Sequence, residues 1–162
     1  MKNRSKYNFG QRSEERRSTV SMYLQLASGR ALKCSPIDFG VPWMGGLRTA
    51  TDQKGIFDEG HSRCDGYEKI SYHQIKNDDG KGLALDLVPY IPGIGFEYEA
   101  YGRFGIIGML MLEAWEELQD LHMIPQDRFL HWGGLWTHKD PKMLGWDMAH
   151  FEERSTEQIE RV

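Results

Sequence analysis

Between Glu97 and Leu121 the chain carries its densest run of apolar residues, centred on FGIIGMLMLEAW. A helix this apolar on so many sides has to lie at the centre of its domain, with other elements packed around it. It does not read as a membrane span, because the run falls short of the roughly 20 apolar residues a bilayer requires and carries Glu113. Gly102, Gly105 and Gly108 each weaken such a helix by up to about 1 kcal/mol relative to alanine, a cost that close packing against a sheet would explain. A chain of 162 residues fits one domain around one core.

The rest of the sequence supplies the elements that would cover this helix. In LALDLVPY (83–90) Leu83, Leu85 and Leu87 point one way and Ala84, Asp86 and Val88 the other, which is strand alternation; PYIPGIG, with two prolines and two glycines, ends it. Ser13 followed by Glu14 and Glu15 starts a first helix, continued at helical spacing by Val20, Tyr23, Leu24, Ala27 and Ala31. SPIDFGV (35–41) reads as a strand leading into a turn at Trp43–Gly46, and a second helix begins with Thr49 as its cap and stops at Gly60. Residues 60–69 form a loop, FLHW (129–132) and MAHFE (148–152) are late strands, and residues 153–162 are a polar, frayed tail. The expectation is an α+β fold, a small single domain over residues 1–152 with an antiparallel sheet packed against helices.

Charge and cysteine content narrow the function classes. A formal net charge of −4 gives no general attraction to nucleic acid or anionic membrane. Cys34 and Cys64 are too few for a disulfide scaffold or a cysteine-based zinc site and read as free thiols in a reducing compartment. The charged start MKNRSKYNFGQRSEERR has no apolar stretch behind it that could act as a signal peptide. The protein is therefore expected in the cytoplasm unless another factor releases it.

A hydrolytic zinc site takes three imidazole or carboxylate ligands and a nearby carboxylate that accepts a proton from water. His73 and Asp86 bracket a charged, Gly-containing interruption, His150 lies on an expected strand, and Asp147 stands three residues before it. His61 and Cys64 lack the second Cys/His pair a structural zinc site needs, and His122, His131 and His138 read as packing or surface residues. Trp115 reads as core, whereas Trp132 and Trp136 are candidates for a substrate groove.

The stretches SYH…GLALD and DMAHFE resemble the paired motifs of the M15 zinc metallopeptidases. YNFGQRSEERR, SPIDFGV, GGLRTATDQ, DEGHS and HWGGLW extend that likeness over about residues 7–152 toward the phage L-alanyl-D-glutamate endopeptidases of endolysin type. The resemblance implies the fold of D-alanyl-D-alanine peptidases and hedgehog domains, with Zn2+ held by His73, Asp86 and His150 and with Asp147 as general base. Arg48 matches an arginine facing the substrate, able to hold a carboxylate or the developing oxyanion. Ser71 matches the motif serine on the substrate side, where it orients a ligand or satisfies backbone, and Gln53 reads as a helix residue supporting the fold. One departure stands out: Asp86 is thirteen positions after His73 where the family has seven, so QIKNDDGK holds an insertion, read as a protruding hairpin. Asp78 and Asp79 inside it compete for the ligand role, and Asp86 is preferred because Gly82 and Ala84 keep their motif positions.

The implied function is a peptidoglycan peptidase of the endolysin class, cutting the stem peptide between L-Ala and D-Glu during host lysis. Its expected setting is a monomer with no nucleic-acid partner and no membrane insertion, waiting in the host cytoplasm until it is released to the wall. A D-alanyl-D-alanine carboxypeptidase shares the motifs, and a catalytically silent zinc-stabilised domain is the alternative of a different class; the retained Asp147 argues against the latter.

Overall fold

The computed structural model describes residues 7–136 and 145–159, so His138 lies outside the described residues. The chain opens with α1 (Gln11–Arg17) and α2 (Met22–Cys34), passes through the short strand β1 (Phe39–Gly40), and enters α3 (Ala50–Asp58). β2 (Ala84–Asp86), β3 (Val88–Ile91) and β4 (Gly95–Phe96) precede the long helix α4 (Tyr101–Asp120). β5 (Arg128–Trp132), β6 (His150–Ser155) and α5 (Thr156–Ile159) complete the described chain.

α4 is the central helix expected from its composition. Ile107, Met111, Ala114, Trp115 and Leu118 are buried on it and meet Leu24, Ala27 and Ala31 of α2 together with Leu85, Trp132 and Phe151 of the strands. Of its glycines only Gly108 makes the close approach that glycine permits, since a Cβ there would run into the Trp132 ring; Gly102 and Gly105 have nothing within 4 Å. The close-packing account therefore holds at one position of three.

The first helix of the sequence reading is two helices. Val20 forms a parallel bridge with Gly82 and Ser21 N–H donates to Gly82 O at 2.9 Å, so the chain extends for a few residues before Ser21 caps α2 through Leu24 N–H. The strand at 83–90 is likewise divided. β2 pairs with β6, which pairs with β5, while β3 pairs with β1 and β4, giving two three-stranded sheets that exchange the chain at Leu87. PYIPGIG does not end the second part but turns it, with Gly93 at φ 82°, into β4. β6 runs past residue 152: Glu153 is 2% exposed within it, because its carboxyl meets Ser21 and Arg128. α3 matches its expected cap, with Thr49 and Asp52 forming a reciprocal capping box.

Candidate metal centre

Asp86 and His150 are directly opposed in the antiparallel pair β2–β6, an arrangement that places both side chains on one face at neighbouring distance. The Asp86 end is pinned by its own N–H, which donates to Gly45 O at 2.7 Å, and by Leu87 N–H donating to Ala149 O at 2.9 Å. His73 arrives from a single 3-10 turn, Tyr72–Gln74, whose cap Ser71 accepts His73 N–H on Oγ (3.3 Å) and gives its own N–H to Gln74 Oε1 (3.0 Å). Between His73 and Asp86 the inserted residues fold out as a hairpin, with Lys76 bridged antiparallel to Gly82 and Leu83 N–H bonded to Ile75 O at 3.0 Å. Asp78 and Asp79 sit exposed beside its turn at Gly80, so Asp86 is the carboxylate that meets His73.

The three inward atoms form a nearly equilateral triangle. His73 Nε2 lies 3.1 Å from Asp86 Oδ1 and 3.2 Å from His150 Nδ1, and His150 Nδ1 lies 3.2 Å from Asp86 Oδ1. Ligands at about 2.0–2.1 Å from a tetrahedral ion are separated by about 3.3 Å, so the triangle is the size of one face of such a shell. Each side chain is also held from behind. His73 Nδ1–H donates to Gly46 O (2.7 Å), His150 Nε2–H to Glu152 Oε2 (2.9 Å), and Asp86 Oδ2 accepts Arg48 Nη2–H (2.7 Å). These bonds occupy the outer nitrogen of each imidazole, so that in its neutral form each ring turns a lone pair inward, as metal-binding histidines require. Among the described residues this is the one group of three His, Cys, Asp or Glu side chains that could hold a metal ion; His61 and Cys64 are not part of it.

The buried charge of Asp86 is balanced by its neighbours. Burial opposes ionisation of Asp86, yet the neighbouring His73, His150 and Arg48 hold it well below the usual carboxylate range. Burial opposes the charge on His150 too, but hydrogen bonds to Asp86 and Glu152 push its pKa up to about 10, while burial carries His73 down. Asp147 stands in the turn before β6, outside the ligand group, with its carbonyl accepting His150 N–H at 3.3 Å. Burial first, and the Asp86 charge second, raise its carboxyl to about 6.

Arg48 spends three donors on the protein: Nε to Met44 O (2.6 Å), Nη1 to Gln53 Oε1 (3.1 Å) and Nη2 to Asp86. Two of the five donors of a guanidinium remain. Gln53 is completely buried and ties Arg48 to the loop after α3 through Ser62 Oγ and Cys64 O. Trp136 packs on His150, ring centroids 5.3 Å apart, and on Trp146 at 5.2 Å. Trp132, expected in a groove, is instead core: it is 3% exposed, its Nε1–H donates to Met148 O, and it stacks on Phe151. In the sequence Glu152 reads only as the last residue of DMAHFE and is given no role. The signal was present, because His150, Glu152 and Arg154 occupy alternate positions of a strand, and Arg154 Nε–H donates to Glu152 Oε1 at 2.7 Å.

A family model described as phage L-alanyl-D-glutamate peptidase matches residues 5–152. The crystal structure of Serratia marcescens L-Ala D-Glu endopeptidase ChiX is similar over 92% of this chain and 92% of that chain, with 25% sequence identity and a TM-score of 0.64. No match was found among curated protein sequences.

Proposed function

The chain belongs to the phage L-alanyl-D-glutamate peptidase family, and from that membership we propose a zinc-dependent endopeptidase that cuts the L-Ala–D-Glu bond of the peptidoglycan stem peptide. The observation that carries the zinc part is the triangle of His73 Nε2, Asp86 Oδ1 and His150 Nδ1, each side chain anchored at its other polar atom. Two imidazoles and one carboxylate suit a borderline ion such as zinc. His73, Asp86 and His150 would hold the zinc, which would supply Lewis acidity toward a carbonyl oxygen and a water.

The chain's own residues do the rest. Asp147 accepts the proton of the attacking water on its carboxylate and returns it to the departing D-Glu amine, as a positioned general base does. Arg48 keeps Asp86 ionised and aimed inward, and its two remaining N–H groups face the substrate carboxylate or the oxyanion. Ser71 fixes the turn that presents His73 beside the bound peptide. Trp136 shields His150 on one side, which lowers the local dielectric and strengthens each of these interactions. Family membership favours the endopeptidase over the D-alanyl-D-alanine carboxypeptidase reading.

No described helix is long and apolar enough to cross a membrane, and reaching the wall as an endolysin at host lysis is part of this proposal. The test is mass spectrometry of purified peptidoglycan after incubation with the zinc-loaded protein. New D-Glu amino termini are expected. Release of D-Ala alone would make the protein a carboxypeptidase, and an unchanged wall would sink the enzymatic reading.

A further inference from the structure

A second concavity, of about 760 Å³, is lined by residues of α1, β1, the turn that follows it and the β3–β4 hairpin. Its lining is mixed, with aromatic surface from Trp43 and Tyr90 and polar groups from Asn8, Gln11, Arg16 and Asp38. Trp43 is 75% exposed, an unusual position for the largest apolar side chain unless something covers it. The indole is braced rather than loose: the Arg16 guanidinium lies 5.9 Å from its ring centroid, and Arg16 is itself tied to Val41 O at 2.8 Å. Tyr90 is held edge-on against Phe96 at 5.7 Å. Asp38 forms no ion pair among the described residues, and burial pushes its carboxyl up. Such a carboxylate accepts hydrogen bonds from hydroxyl and amide donors, and Arg12 and Arg16 line the same concavity.

The concavity adjoins the metal centre through one loop. Trp43 is followed by Met44, at φ 60°, a conformation that a non-glycine residue holds only where its surroundings impose it. The next residues carry the centre: Gly45 O takes the Asp86 N–H and Gly46 O the His73 Nδ1–H.

We propose that this concavity is a glycan subsite that takes the sugar attached to the stem peptide, so that the protein cuts the bond in its glycan-linked context. The inference rests on the endopeptidase reading. On the acyl side of an L-Ala–D-Glu bond stands a single alanine, whose nitrogen is joined to the lactyl group of the muramic acid sugar; the concavity, placed by this proposal on that side, receives the sugar. An N-acetylated pyranose fits what lines it, with its C–H face on the indole and its hydroxyl and acetamido groups bonded to Asp38, Gln11 and Asn8.

The test compares two substrates: a disaccharide-bearing stem tetrapeptide and the same peptide capped by a lactyl group alone. Wild type is expected to show at least tenfold higher kcat/KM on the first, chiefly through KM. Trp43→Ala, at an exposed position that the core does not need, should reduce the ratio of the two values at least fivefold, and Asp38→Asn should reduce it in the same direction. Calorimetric titration with the disaccharide-L-alanine product should show binding to wild type and at least tenfold weaker binding to Trp43→Ala. Equal kcat/KM on the two substrates in wild type, or a ratio untouched by Trp43→Ala, overturns the glycan subsite and leaves the endopeptidase standing. Failure to cut either substrate between L-Ala and D-Glu overturns both.

Discussion

Asp86 and Asp147 are both carboxylates close to His150, and their surroundings push them apart. Asp86 accepts a hydrogen bond from Arg48, lies 3.1 Å and 3.2 Å from the inward nitrogens of His73 and His150, and stays ionised, whereas burial and the Asp86 charge raise Asp147 to about 6. On the proposed mechanism the first holds the cation and the second exchanges a proton. Asp147→Asn is therefore expected to retain about one zinc per chain while kcat falls roughly 100-fold, the scale of a lost general base. Asp86→Ala should lose zinc and turnover together. Elemental analysis beside steady-state kinetics decides, and an emptied site in Asp147→Asn would reverse the two roles. Glu152 provides a second residue-scale prediction. Replacing it with alanine frees the Nε2 side of His150 and leaves Arg154 without its buried partner, so zinc affinity measured against a chelator should fall about 10–100-fold. Unchanged affinity would show that strand pairing alone orients His150.

At the scale of elements, α4 holds two glycines with opposite expectations. Gly108→Ala drives a Cβ into the Trp132 ring, and overpacking of this kind costs about 1–3 kcal/mol. Gly105→Ala meets nothing within 4 Å and should stabilise by about 0.5–1 kcal/mol through helix propensity. Thermal unfolding should thus move down by several degrees in the first and up by about 1–4 °C in the second. A rise in both would mean that Trp132 can retreat. The hairpin between the two ligand segments makes a similar contrast. Its tip residues Asp78 and Asp79 are exposed, so their joint replacement by alanine should leave zinc content unchanged; zinc loss there would place a ligand inside the insertion.

For the whole molecule, Glu153 is the buried group that ties distant parts together: its carboxyl meets Ser21 at the start of α2 and Arg128 on β5. Burial raises its pKa despite both partners. A carboxyl with a raised folded-state pKa contributes stability that is fully present below its unfolded value near about 4.3 and is lost as pH rises through the folded value. Glu153→Gln keeps an oxygen to accept from Arg128 and turns an N–H toward Ser21 Oγ without the charge, so its Tm should exceed wild type at pH 7 and the gain should vanish toward pH 4. A gain that persisted at pH 4 would assign the effect to packing instead. What the sequence alone determined was local or compositional: the apolar run that had to become α4, the Thr49 cap, and the residue types gathered at His73, Asp86 and His150. Those features depend on near neighbours or on side-chain chemistry, and both are written in the chain. The tertiary structure decided where Val20 and Gly82 interrupt a helix, where Leu87 passes between two sheets, which nitrogen of each histidine faces inward, and that Trp132 belongs to the core. Each of these depends on a partner far along the chain, as in the approach of His73 to His150 across 77 positions, and sequence periodicity carries no information about which distant group completes a hydrogen bond.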